Sequence, residues 1–456
     1  MMRALLVAVT LLAGLAGAGM AAGALVEPAD GERLAAAPAA VRVVVDSPVE
    51  AALAQAEVRA PSGAGASGAR VDPDDPQAIA VPVPAAGGGT YRVAWWGLTT
   101  DGHPVAGSTS FQVGGARPEA APVSPEGSGS TSPLAIAARF LVLVGVLGTA
   151  GMALAREWSV ARGWASGGIA PPGHDHAARV RGNATAEAPQ PVRRWWTAWW
   201  VLLAAWALGL IVALPVQAWS VGGQWRALVS ESRWGMAWLG LAVLALVAVC
   251  AGLVARRADP SLAPAPWRMG ALAVPGAAGA VLLSWSGHAA SGTDATLGVA
   301  IDVVHGWATA LWLGGLVMLL VLAVPLLARL VPADAVRMGA AVVVRFSSLA
   351  VASVVVLVIT GVYRALAELP SLDALWTTDY GLVLLAKLVV FAVMLVLAGW
   401  NRIVLHPRLE RRALGLVDGA DDAGTAALRA SVRAEVALGA VVMALVAVMV
   451  GLMPPT

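Results

Sequence analysis

LGVAIDVVHGWATALWLGGLVMLLVLAVPLLA, residues 297–328, holds one aspartate, one histidine and no basic residue. About 20 apolar residues cross the hydrocarbon core of a bilayer, so this run spans a membrane and is long enough to tilt or project beyond it. Seven more runs of membrane length follow Pro133, near 133–154, 197–219, 235–255, 268–288, 343–365, 379–400 and 433–453. The expectation is an all-α polytopic membrane domain of eight transmembrane helices over 133–456. Composition agrees, because 58% of the 456 residues are hydrophobic and only 13% are charged, far from the balance of water-soluble chains. The formal charge of +2 gives no reason to expect a nucleic-acid partner.

Residues before the first span have a different character. MMRALLVAVTLLAGLAGAGMAAGA, residues 1–24, pairs one arginine and an apolar run with small residues, the pattern of a secretory signal peptide. An uncleaved anchor helix is the rival reading, and under either the next segment is exported. Residues 25–114 contain VRVVVDSP, AQAEVRAP, AIAVPVP, TYRVAWW and STSFQV, separated by Gly, Pro, Asp and Ser clusters. Short runs at this spacing predict an all-β sandwich. Residues 115–132 are a Pro/Gly/Ser-rich linker.

An exported sandwich makes the first span run inward, and the arginines provide an independent check. Arg156, Arg162, Arg179, Arg181, Arg193 and Arg194 fall in one expected inner loop, and Arg402, Arg408, Arg411, Arg412, Arg429 and Arg433 in another, while outer loops hold few. This is the positive-inside pattern of a multi-pass protein of the cytoplasmic membrane, with the amino-terminal domain on the outer, periplasmic side.

Few side chains are available for chemistry. Cys250 is the only cysteine, which rules out an intrachain disulfide or a thiolate cluster. No Walker loop, G-x-S-x-G or H-E-x-x-H occurs, and the chain is read as a non-enzyme. His288 closes the fourth span, His305 lies about two turns into the fifth, Asp302 shares its helix face, and Lys387, the only lysine, sits inside the seventh. Ionisable groups inside a membrane default to functional candidates. Asp302 and Lys387 are expected at matching depth as an ion pair, with a role in conduction or as a proton relay as the other reading. In TTDGHPVAGSTSFQV, residues 99–113, Asp101 and His103 sit in a hairpin turn between two strand-like runs. There His103 is either a metal ligand or a polar loop residue. His174 and His176 read as spacer in a flexible inner loop, His406 has no visible partner, and Met236, Met269 and Met318 read as packing.

Two resemblances go further. Pro28-Ala29-Asp30-Gly31, the strand Gly89–Trp95 and the long ending Thr99–Val113 resemble the copper-resistance protein C family, CopC. SGHAA at 286–290, HGWATALWLGG at 305–315, RFSSLA at 345–350, TGVYRA at 360–365, TTDYGLVLLAKL at 377–388, NR at 401–402 and RAEVALG at 433–439 resemble the copper-resistance protein D family, CopD. The first resemblance implies a cupredoxin-like sandwich that binds Cu(II) through a mature amino-terminal histidine and a D-x-H segment, here Asp101 and His103. The place of that histidine falls at Met20, so a terminal amine or the Met20 thioether would complete a weaker set, and thioether favours Cu(I). The second resemblance implies copper passage through the membrane, usually uptake, with His288 and His305 as ligands of one site. Copper ion, the lipid bilayer and an exported copper chaperone are the implied partners. Two alternatives stay open: a haem-b-binding membrane redox protein with His288 and His305 as axial ligands, and a copper sensor or scaffold that moves nothing.

Overall fold

The computed structural model describes residues 24–85, 87–114, 132–167, 174–258, 264–291, 294–414 and 423–455. Met20 with the rest of the signal segment up to residue 23, and the linker over 115–131, lie outside the described residues.

Nine strands form the amino-terminal part: β1 Leu25–Glu27, β2 Arg33–Leu34, β3 Ala40–Val44, β4 Gln55–Arg59, β5 Gly65–Ser67, β6 Arg70–Val71, β7 Ala78–Pro82, β8 Gly89–Leu98 and β9 Pro104–Val113. They make a sheet of order β1-β3-β7-β6 and another of order β2-β9-β8-β4-β5. Period-two alternation turns Tyr91, Val93 and Trp95 of β8 inward, where they share one core with Val41, Val43, Ile79 and Val81 of the other sheet. Strands β8 and β9 pair antiparallel from Gly89 opposite Val113 to Leu98 opposite Pro104, so residues 99–103 are their turn. Gly102 takes φ +86° there, a conformation open to glycine.

Ten helices matter for the rest of the chain: α1 Pro133–Ala155, α2 His174–Glu187, α3 Pro189–Ser220, α4 Trp225–Glu231, α5 Arg233–Ala258, α6 Pro266–Trp285, α7 Ala295–Met318, α8 Pro332–Glu368, α9 Asp379–Trp400 and α10 Ala423–Met449. Among the described residues, eight of them, all but α2 and α4, are long and apolar enough to cross a membrane. Proline opens α1, α3, α6 and α8, where its missing N–H leaves no intrahelical bond unmade. The over-long fifth run continues from α7 through a π-helical turn, Leu319–Ala323, to Leu327. Large apolar side chains stay exposed around the bundle, Ile211, Leu246, Ile359 and Val396 among them, as a lipid-facing surface requires.

The segment with His174 and His176 is not an unstructured spacer, since helix α2 begins at His174. Its Val180 and Ala184 are fully buried against the bundle, and Asn183 Nδ2 donates to Asp334 Oδ2 at 2.6 Å. Two apolar residues one turn apart were enough to dock it, although most of the segment is polar. Met269 and Met318 are buried in the core, which fits packing.

Helices α1 and α7 meet backbone to backbone. A Cβ on Gly151 would lie 1.8 Å from the Ala310 carbonyl oxygen, and one on Gly314 would lie 2.7 Å from Gly151. Small residues allow such approach in membranes. Gly151→Val is therefore expected to separate the two helices and cut folded yield severely. Size-exclusion profiles in detergent measure this, and an unchanged monodisperse peak would contradict the crossing.

The sandwich sits on the end of the bundle that carries Ser220, Trp285 and Met449. Leu53 and Leu98 of the sandwich pack with Ala218, Val221 and Leu228. Gln217 Nε2 donates to the Gly102 carbonyl at 2.8 Å. Arg233 ties three segments: its backbone N–H donates to Glu50 at 2.9 Å, its Nε to the Thr100 carbonyl at 2.7 Å, and a terminal nitrogen to the Ala290 carbonyl at 3.1 Å. The β8–β9 turn is thereby held over the turn that follows α6.

Candidate metal centre

The β8–β9 turn is ordered by Thr99. Its N–H donates to the His103 carbonyl at 2.9 Å, and its hydroxyl accepts from the His103 N–H at 3.0 Å and donates to Asp101. Asp101 and His103 are consequently buried, 5% and 4% exposed, rather than free loop residues. His288 opens a short 3₁₀ turn, His288–Ala290, directly after α6. It meets the pair from below.

The three side chains converge. His103 Nδ1 lies 3.4 Å from Asp101 Oδ1, and His288 Nε2 lies 3.5 Å from Asp101 Oδ2. The two rings are 4.4 Å apart, tilted by 48°. One ligand atom from each residue fits within 4.8 Å of the others, the spread of a single ion's coordination sphere. His103 Nε2 is 3.1 Å from the Val450 carbonyl oxygen, an acceptor only, so Nε2 carries the proton. In the neutral ring, that leaves a lone pair on Nδ1 facing an anionic carboxylate. His103 Nδ1 and His288 Nε2 have no hydrogen-bond partner although both are buried. Two unsatisfied imidazole nitrogens around one carboxylate are what a bound cation would satisfy. The carboxyl-terminal end of α10, whose last carbonyls face this region, adds partial negative charge that favours the same ion.

Protonation suits metal binding. Burial, and behind it the His103 imidazole, pushes His288 down to about 3 from 6.5, so its ring is neutral near pH 7. Burial raises Asp101, but positive charge on the neighbouring rings in acid and the Thr99 hydroxyl outweigh it and hold the carboxyl well below the usual carboxylate range. A histidine whose folded value is depressed binds its proton first in the unfolded chain. Stability is then full above about 6.5 and falls as pH drops from there toward about 3. Melting temperature of the metal-free protein should decline over that interval more steeply in the wild type than in His288→Gln, and parallel curves would contradict the burial of His288.

Beneath these three side chains lies a cavity of about 310 Å³. Asp101, His103 and His288 line one part, and His305, Asp302, Arg364, Glu368, Lys387, Met443 and Met449 line others. His305 Nδ1 is 2.8 Å from the Thr360 hydroxyl, which itself donates to the Val356 carbonyl at 2.6 Å. His288 and His305 thus border one cavity, but the three-residue cluster that could hold a metal joins His288 to the sandwich, with His305 engaged by α8.

The expected Asp302–Lys387 ion pair is not formed. Asp302 pairs with Arg364, whose guanidinium also binds Glu368 one turn along α8, and Glu368 accepts from the Tyr380 hydroxyl. Arg364 wins because a planar fork bridges two carboxylates at once, where an ammonium is a point charge. Lys387 lines the cavity without an ion pair among the described residues. Sequence reading passed over Arg364, Glu368 and Tyr380 although TGVYRA and TTDYG had been singled out. A charged residue at the end of an apolar run was the available signal. The side chain of His406 is not described.

Both parts of the chain are similar to known proteins. Residues 25–114 match the CopC domain, residues 130–299 the copper resistance protein D-like N-terminal domain, and residues 340–449 copper resistance protein D. The copper transport protein CutJ of Bacillus subtilis is 26% identical over 80% of this chain and 61% of its own length. Copper resistance protein D of Pseudomonas syringae pv. tomato is 26% identical over 44% of this chain and 65% of its own. The chain therefore spans less than two thirds of either curated relative's length. The solved CopC of Methylosinus trichosporium OB3b covers 21% of this chain and 95% of its own, at 26% identity and a TM-score of 0.19.

Proposed function

We propose that the chain takes up copper, because residues 25–114 are similar to a CopC domain and residues 130–299 and 340–449 to copper resistance protein D. The ion is received at Asp101, His103 and His288 on the outer side of the cytoplasmic membrane and passes inward through the cavity below. In this reading residues 1–24 export the chain, 25–114 receive the ion, 115–132 link, and 133–456 form the conducting domain. One observation carries the reading: the sandwich supplies two ligands and the membrane region the third, so the cluster bridges the two parts. Imidazole and carboxylate suit Cu(II), and the thioethers of Met443 and Met449 on the wall of the same cavity would suit Cu(I). The arginine bias of the loops supports the orientation. Met20, outside the described residues, stays part of the proposal only as a further donor, and an exported copper chaperone is the donor protein the exposed sandwich would meet.

Copper accumulation in proteoliposomes holding the full chain tests the proposal. Accumulation above protein-free vesicles is the expected result. Copper bound without accumulation would sink uptake in favour of a sensor or scaffold. A Soret band in the purified protein would sink it in favour of the haem reading.

A further inference from the structure

A second buried ionisable group lies toward the other end of the bundle. Glu435 on α10 is 4% exposed and about 14 Å of helix from Ala426, where that span begins. Its Oε1 accepts from Asn401 Nδ2 at 2.6 Å. The same nitrogen reaches Ser431 Oγ at 2.6 Å, and Ser431 Oγ donates back to Asn401 Oδ1 at 3.0 Å. These partners are all neutral.

The elements packed around it bring no cation to bear. Helix α9 from Leu388 to Trp400, α7 with its continuation from Gly306 to Leu327, and α1 from Phe140 to Ala155 hold no ionisable residue. Arg156, at the end of α1, lies over the Trp195 ring, 4.5 Å from its centroid. Arg402 is exposed and donates to Ser347 Oγ at 2.9 Å. Arg433 is exposed on another face of α10, and Arg429 lies farther toward its start. No salt bridge reaches Glu435 among the described residues.

A carboxylate anion inside a membrane with neutral partners alone is strongly disfavoured, and it resolves by taking a proton. Asn401 suits both forms, since its amide nitrogen donates to a carboxylate and, turned over, its oxygen accepts from a carboxylic acid. Asn401 also begins a π-helical turn, Asn401–Leu405, a distortion frequent at functional sites. We propose that Glu435, with Asn401 and Ser431, is a proton-binding site in the inner half of the membrane domain. On release the carboxyl O–H bond breaks and the proton passes to water at the end that carries Arg429 and Arg433. Resting on the uptake reading, the proton released and rebound here is the ion coupled to copper movement.

Infrared difference spectra of the full chain against Glu435→Gln, which keeps the shape and an amide for Asn401, test the site itself. At neutral pH the wild type should show a carboxylic acid C=O band that the variant lacks and that fades as pH is raised. Identical spectra would overturn the proposal, and so would a band unmoved by pH, the mark of a permanently protonated structural acid. Copper flux in proteoliposomes under an imposed pH gradient tests the coupling: the wild type should respond several-fold and Glu435→Gln should not. An equal response in both would overturn the coupling. Absence of any wild-type flux would sink the uptake reading while the infrared result still decides whether the proton site exists.

Discussion

Replacing His288 with Ala is expected to lower copper affinity of the full chain by more than about 100-fold, a larger loss than the 10–100-fold typical of removing a residue that merely orients a ligand. The reason is geometric. His288 Nε2 closes the triangle with Asp101 and His103, and it is the ligand that comes from the membrane region. His305→Ala should leave the copper bound at this cluster unchanged, because His305 is hydrogen-bonded to Thr360 instead. Titration of the detergent-solubilised chain against a competing chelator separates the two variants. Wild-type affinity in His288→Ala would remove the cluster as the receiving site.

The second large effect concerns Arg364. Arg364→Met would strand Asp302 and Glu368, both half-buried and both served by that guanidinium. Removing one partner of a fully buried ion pair costs about 3–5 kcal/mol; here, with the side chains partly exposed, the loss should be smaller but still lower the melting temperature clearly. Adding Asp302→Asn and Glu368→Gln to Arg364→Met should recover much of the loss, since the two carboxylates that Arg364 served are then neutral. Lys387→Met should be much milder, and Asp302→Asn should not rescue it. Melting temperatures across this set give the answer; rescue of Lys387→Met by Asp302→Asn would restore the pairing that the structure replaces.

Much of the architecture was legible because its causes are local. A membrane-length run such as 297–328 has few alternatives, since each backbone polar group must be satisfied within the segment. The hairpin of β8 and β9 could be read from strand-like runs on either side of a turn segment holding Asp101 and Gly102. The candidate site was legible in parts. Asp101, His103 and His288 were each singled out, but from two separate stretches and for two separate sites.

The amino-acid sequence by itself determined the eight spans, the sandwich and the residue types able to hold a metal, because hydrophobic length, period-two alternation and side-chain chemistry are properties of short segments. Which residues act together was decided only in the tertiary structure. Arg233 and Gln217 clamp the β8–β9 turn onto the bundle, bringing His103 to a residue far along the chain. The same packing gave Asp302 to Arg364 rather than Lys387, and enclosed Glu435 with Asn401 and Ser431. Helix rise predicts depth along a span, but the rotation and neighbour order that choose partners come from close packing between helices. In this protein the physical reason is plain: backbone contacts such as Gly151 against Ala310 set those rotations, and no single stretch of sequence contains both sides of such a contact.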